Sequence, residues 1–173
     1  MKFVTCTLAA HGGAILDILN EQIRTSTAVY EYVERTPESM VTWFKTKDAR
    51  NYPVIGLEDE SGTLMGFATY GVFRERPAYK YTVEHSVYVH QDHRGKGLGL
   101  ALMERLIEAA RAQDLHVMVG GIDATNAGSI AMHEKLGFVH AGTIRESGYK
   151  FGTWLDLAFY QLTLQTPLEP SDG

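Results

Sequence analysis

The sequence predicts one mixed α/β domain, a central twisted sheet of mixed strand direction with helices on both faces. Three observations predict it. Segments of two-residue alternation interleave with segments of helical spacing in the order β-α-α-β-β-β-α-β-α-β-β. The 173 residues contain no linker, fixed-period repeat or low-complexity tract. An apolar fraction of 45% suits one core of ordinary size. Residues 1–166 are therefore expected to form a single domain. Residues 167–173, rich in Pro, Ser, Asp and Gly, are expected to be a frayed tail.

The elements follow in order. Phe3 to Leu8 alternates apolar and polar residues and is expected to be a first strand. Ala14 to Arg24 places Ile15, Ile18, Leu19 and Ile23 at helical spacing. Pro37 can open a second helix, capped by Thr36, with Met40, Val41 and Phe44 facing inward. Val54 to Glu58 and Leu64 to Phe73, joined through Ser61-Gly62, read as a hairpin. Tyr81 to His90 is a further strand. Leu98, Leu102, Leu106 and Ala109 stripe a helix that begins near Gly97. His116 to Ile122 reads as a buried strand. Ala127 to Leu136 reads as a short helix closed by Gly137. Phe138 to Arg145 and Trp154 to Leu164 complete the sheet. Trp43, Tyr30, Tyr52 and Trp154 are large residues of the kind usually found in a core.

The formal charge of -5 denies the chain the broad positive field that nucleic acid or anionic lipid requires. No nucleic-acid or membrane partner is expected. No apolar run approaches a membrane span, and the N-terminus lacks a signal-peptide h-region. A single cysteine, Cys6, excludes an intrachain disulfide and fits a reducing cytoplasm. The seven histidines show no metal-ligand spacing, and no metal is expected.

Most of the chemistry lies between Thr82 and Leu106. The strand Val83-Glu84-His85-Ser86-Val87-Tyr88-Val89 runs into Arg94-Gly95-Lys96-Gly97-Leu98-Gly99-Leu100, and a helix follows at once. Glycines let backbone N–H groups approach an anion closely. A helix start adds N–H groups without intrahelical partners and the positive end of a dipole. Arg94 and Lys96 add charge. This combination can cradle a pyrophosphate. A dinucleotide fingerprint fails, because the position for its third glycine holds Leu100 counted from Gly95, or Leu102 counted from Gly97. A Walker loop is absent.

The stretch resembles the GNAT superfamily of acyl-CoA N-acyltransferases, whose motif Q/R-x-x-G-x-G/A is met by Arg94, Gly97 and Gly99. Asn126, Ser129 and the pair Gly137-Phe138 match a second block of that family, and the element order matches along nearly the whole chain. Thr82 to Val89 with the glycine loop, and Gly148-Tyr149-Lys150-Phe151-Gly152-Thr153-Trp154-Leu155-Asp156, look like the phosphinothricin and methionine sulfoximine/sulfone N-acetyltransferase branch. The resemblance implies a GNAT fold and acetyl-CoA as co-substrate. Its amine would be a small amino-acid analogue, and its assembly a homodimer. It implies cofactor contacts at Val87, Tyr88, Val89, at Arg94 through Leu100, and at Asn126 and Ser129. The backbone of Val87 to Val89 would pair with pantetheine in an opening between parallel strands, and the Val87 N–H would polarise the thioester carbonyl.

Glu84 is the expected general base, since a half-buried carboxylate can take the amine's proton; the alternative is a solvated or salt-bridged strand glutamate. By the resemblance, His133 stands where many superfamily members carry a tyrosine that protonates the departing CoA thiolate; the alternative is a helix-surface or cofactor-contacting residue. The expected amine-side residues are Thr27, Arg74, Glu75, Arg76, Glu84, His85 and Ser86. Arginine suits a substrate carboxylate through paired hydrogen bonds. The alternative for Arg74 and Arg76 is a solvated loop, and for His85 a satisfied core histidine. Glu75 and Arg76 replace the Pro-Phe common in that branch. The function expected is acetyl transfer to an α-amino group by direct attack in a ternary complex. Two rivals are transfer to another amine (a protein N-terminus or lysine, a polyamine, an aminoglycoside) and a non-catalytic acyl-CoA-binding subunit of the same fold.

Overall fold

In the computed structural model, which describes residues 1–172, the elements run in the expected order. They are β1 (Lys2–Thr5), α1 (Leu8–Thr25), α2 (Pro37–Ala49), β2 (Val54–Glu58), β3 (Leu64–Val72), β4 (Thr82–Val89), α3 (Leu98–Ala112), β5 (Val117–Asp123), α4 (Ala127–Lys135), β6 (Val139–Lys150) and β7 (Thr153–Thr163). The strands hydrogen-bond in the order β1-β2-β3-β4-β5-β7-β6. β4 and β5 run parallel, whereas β1–β2, β2–β3, β5–β7 and β6–β7 are antiparallel, so the sheet is mixed. Among the described residues no helix is long and apolar enough to cross a membrane.

Two compact units can be distinguished. The first comprises Met1–Thr69 and Ser86–Leu106. Its α1 starts where Thr7 caps it, the hydroxyl accepting from Ala10 N at 3.3 Å. Thr36 caps α2 in the same way, accepting from Ser39 N, with Pro37 in the first turn. Ile15, Ile18, Leu19, Met40, Phe44 and Phe67 form the heart of this unit's core. Burying each such side chain contributes about 1.5–3 kcal/mol. Trp43 stands edge-on to Phe67, and Phe67 meets Tyr88 of β4 with ring centroids 5.6 Å apart. Cys6 is buried here, and that burial raises its thiol pKa to about 12. Gly66 admits β4 closely. A Cβ placed on it would lie 2.7 Å from Tyr88 O and 3.1 Å from Val89 Cα.

The second unit comprises Tyr70–His85 and the chain from Ile107 to the end of the described residues. β4 pairs with β5 at Thr82↔Val117, Val83↔Met118 and Glu84↔Val119. β5 in turn pairs with β7 from Val117↔Thr163 to Asp123↔Leu157. Asn126 caps α4, its Oδ1 accepting from Ser129 N at 3.0 Å. Gly137, at φ +88, follows the helix as expected. β6 and β7 form a long ribbon with two irregularities. Near the end of the chain, Ser171 N donates to the Tyr81 hydroxyl at 3.1 Å.

Several expectations are corrected. The first strand ends at Thr5 rather than Leu8, and α1 begins six residues before Ala14. Gly12 and Gly13 hide that start, yet a Cβ on Gly12 would meet Leu8 Cδ1 at 2.9 Å, so Gly12 suits close side-chain packing within the helix. Val41 is 52% exposed rather than inward, because Met40 and Phe44 define the buried i, i+4 face and Val41 lies off it. Trp154, at 60% exposure, is a surface residue of β7, and Tyr30 is exposed as well. β6 continues to Lys150, five residues past Arg145, its bulges absorbing the break in alternation.

Candidate active site

β4 carries the central residues. In the second unit its alternation buries Val83 and His85 and leaves Glu84 half-buried. Burial raises the Glu84 carboxyl pKa above its ordinary value of 4.5, and the Arg74 guanidinium opposes that rise only in part. A carboxylate with a raised pKa binds a proton more strongly, which suits a general base. Space for it comes from Gly121, where a Cβ would stand 3.2 Å from Glu84 Oε1. Arg74 lies exposed with its guanidinium against the Phe73 ring, 5.3 Å from the centroid. Glu75 and Arg76 are exposed beside it, and Arg76 N donates to Arg74 O at 2.9 Å.

His85 and His133 meet edge to edge through their Nε2 atoms. Those atoms are 2.8 Å apart, the ring centroids are 5.0 Å apart and the ring planes differ by 28°. His133 Nδ1 lies 2.7 Å from Ser129 O. We assign the proton on His133 Nδ1 from that bond, since a carbonyl only accepts. His133 Nε2 is then an acceptor, and His85 Nε2–H donates to it. Burial lowers the pKa of both: that of His85, with His133 adding to the effect and the Val119 backbone opposing it, falls to about 3, and that of His133 falls below 6.5. Burial thus favours the neutral form of both rings. His85 is buried as the core-histidine reading expects, with its Nε2 paired, whereas its Nδ1 makes no hydrogen bond of normal geometry. Gly120 makes the pair possible, because a Cβ there would lie 2.9 Å from His85 Cε1 and 3.3 Å from His133 Nε2. In the second unit Glu84, with Arg74 acting on it, lies toward the Gly121 face of β5, and the linked residues His85, His133, Ser129 and Asn126 lie toward the Gly120 face.

The first unit carries the other half of β4, from Ser86 through Val87 and Tyr88 to Val89, all partly exposed, and the glycine loop. Gly95 and Gly97 both sit at φ +76, with nothing within 4 Å of where a Cβ would be. The loop is therefore an open cradle whose backbone needs glycine and whose space is free for a ligand. Leu98, Gly99 and Leu100 form the first turn of α3. Lys96 Nζ donates to Asp92 O at 3.2 Å, and Arg94 Nε donates to Val89 O at 3.2 Å. Arg94 also forms a short ion pair with Glu21. Exposed cations, glycine backbone and a helix start fit the pyrophosphate of acetyl-CoA. Thr27 belongs to this unit, in the segment after α1, and is partly exposed.

Sequence reasoning passed over Gly66, Gly120 and Gly121, although glycine inside a strand is a recognised sign of close approach. It also passed over Glu21 and Gln22, because nothing local marks a partner 73 residues away.

Comparison with known proteins gives the chain's family. The model of the acetyltransferase (GNAT) family matches residues 15–138. An L-methionine sulfoximine/L-methionine sulfone acetyltransferase of Pseudomonas aeruginosa is 45% identical over 150 residues, covering 87% of each chain. A phosphinothricin N-acetyltransferase of Streptomyces viridochromogenes is 36% identical over 162 residues, covering 94% of this chain and 87% of its own. Among solved structures, the phosphinothricin acetyltransferase of Sinorhizobium meliloti in complex with acetyl-CoA superposes with a TM-score of 0.94 at 33% identity, covering 99% of this chain and 94% of that one.

Proposed function

This chain belongs to the acetyltransferase (GNAT) family, and from that premise we propose that it acetylates the α-amino group of a small amino-acid analogue of the methionine sulfoximine, methionine sulfone or phosphinothricin type. The observation that carries the proposal is Glu84, a half-buried carboxylate whose raised pKa is tempered by Arg74, on the strand that leads directly into the glycine loop.

Acetyl-CoA, when bound, supplies an activated acetyl group. Backbone N–H groups of Gly95 to Leu100, with Arg94 and Lys96, hold its pyrophosphate, and the backbone of Val87 to Val89 holds its pantetheine arm. Asn126 and Ser129 add polar contacts. On the second unit Arg74 and Arg76 receive the carboxylate of the amine substrate, with Glu75 and His85 as further amine-side residues; on the first unit the amine-side residues are Thr27 and Ser86. Glu84 removes the ammonium proton so that the nitrogen can attack, and the Val87 N–H stabilises charge on the carbonyl oxygen. As assigned, His133 holds its one proton at Nδ1 against the Ser129 carbonyl, and that is the proton it would give as an acid to the departing CoA thiolate. Cys6, buried with its thiol pKa at about 12, is unsuited to an acyl-cysteine route. Residues 1–166 act as one catalytic domain in the cytoplasm, and residues 167–172 follow it; Gly173, which the expected tail includes, lies outside the described residues.

A panel of amines assayed for CoA release tests the substrate class. The three analogues should give the highest kcat/KM, and polyamines, aminoglycosides and peptide N-termini little. Arg74→Ala should raise the KM for the preferred amine about 10- to 100-fold, the loss of one charged hydrogen bond, with kcat little changed. Preference for a polyamine, or an Arg74 variant with wild-type KM, would refute the assignment.

The same reading includes a homodimer. Val139, Ile144, Tyr149 and Trp154 on β6 and β7, with Phe151 between the strands, expose apolar surface, and β6 is the last strand in the order. This supports a second copy docked there. Light scattering should give twice the 19.2 kDa chain mass, and Trp154→Glu should halve it. A wild-type mass of one chain excludes the dimer.

A further inference from the structure

Arg94 has an unexpected neighbour. A guanidinium meant for pyrophosphate gains nothing for anion binding from a carboxylate, yet Glu21 of α1 forms a short ion pair with it. Glu21 is itself held from several sides. Thr25 Oγ1 donates to its Oε1 at 2.7 Å and to its carbonyl at 2.8 Å, and Gln22 Nε2 donates to its Oε2 at 2.9 Å. Burial alone would raise the Glu21 pKa, but the bonds from Thr25, Arg94 and Gln22 hold it below the usual value, so the carboxylate is charged at neutral pH.

The network continues from Gln22, which is 7% exposed. Its Oε1 accepts from Ser26 Oγ at 2.7 Å, and its carbonyl accepts from Ser26 N at 3.0 Å. Ser26 Oγ in turn accepts from Ala28 N at 3.1 Å. An unbroken hydrogen-bonded chain thus runs from Arg94 through Glu21 and Gln22 to the two residues flanking Thr27. Every link lies in the first unit.

We infer that Glu21 and Gln22 couple the two substrates: acetyl-CoA held at Arg94 sets the Thr25–Ala28 segment that receives the amine. The inference rests on the reading of Arg94 as a pyrophosphate ligand and of Thr27 as an amine-side residue. Glu21 and Gln22 are positioning residues. An anion bound to Arg94 confines its guanidinium, the guanidinium confines Glu21, and Glu21 with Gln22 restrains the segment. By linkage, an ordered segment favours acetyl-CoA by the same factor by which acetyl-CoA favours the ordered segment.

Amide hydrogen exchange over residues 22–30, with CoA as the probe, tests this without an amine substrate. In the wild type, saturating CoA should slow exchange there about fivefold or more, a typical coupling magnitude. In Glu21→Gln, CoA should still bind by calorimetry, as tightly as before or more so, but the slowing should disappear. Gln22→Met, which cuts the next link, should lose it too, and thermal melting reports whether each variant is folded. Arg94→Gln should weaken CoA binding at least tenfold. If it does not, the reading of Arg94 fails. If it does, and Glu21→Gln keeps its CoA-induced protection, the inference alone is overturned. Absence of protection in the wild type overturns it as well.

Discussion

Glu84→Gln should lower kcat/KM by about 10²- to 10⁴-fold, the range for a lost general base, while the Kd for CoA stays within a few-fold. The reason is specific to this carboxylate. Glutamine keeps the shape that Gly121 accommodates but cannot take a proton. The pH profile separates a base from a merely structural glutamate. Burial has raised the Glu84 pKa above 4.5, so the basic form prevails only above that raised value. Activity should therefore fall as pH drops through it, beyond the decline caused by protonation of the amine itself. Glu84→Gln should retain the amine's limb and lose the enzyme's. Arg74→Ala, which removes the opposing charge, should move the enzyme's limb further up. An unchanged profile and rate in Glu84→Gln would exclude Glu84 as the base.

Gly66→Ala should strongly destabilise the first unit. The new Cβ would stand 2.7 Å from Tyr88 O and 3.1 Å from Val89 Cα. Both are backbone atoms, which cannot swing aside as a side chain can. Overpacking of this kind costs about 1–3 kcal/mol, and a rigid neighbour favours the upper end. For a chain of this size that corresponds to a drop in Tm of about 10 °C. Because the displaced backbone is the stretch proposed to hold pantetheine, CoA affinity should fall by more than tenfold even in folded protein. Gly95→Ala is the informative contrast. Its Cβ meets nothing within 4 Å, but φ is +76, so the cost is conformational, about 1–2 kcal/mol. Calorimetry and melting curves of the two variants test the difference. A Gly66→Ala protein with wild-type Tm and Kd would show that β4 does not approach β3 so closely.

The parts of this molecule that were legible in the sequence were those written locally. The glycine loop announces itself because Gly95 and Gly97 punctuate a strand-to-helix passage, and Thr36-Pro37 marks a helix start in two residues. The start of α1 was obscured because Gly12 and Gly13 look like breakers, while the determinant, Thr7, lies upstream of them. The site was legible as a set of residue types on β4 but not as a set of contacts. His85 and His133 are 48 residues apart, and no periodicity pairs them. The glycines at 66, 120 and 121 have no side chains by which to announce a role. Their meaning is the atom that occupies the space, and that atom belongs to another strand or helix. The exposure of Trp154 was illegible for the converse reason: a large aromatic reads as core unless the register shows which way it points.

The burial of Cys6 has a practical consequence at the bench. It is the chain's one thiol, and with its pKa at about 12, only about one molecule in ten thousand carries the reactive thiolate at pH 8. A disulfide dye that changes colour on meeting a free sulfhydryl should therefore be consumed by released CoA and hardly at all by folded enzyme. Turnover can be read continuously, without a blank for the catalyst, and a slow upward drift in that blank would report unfolding.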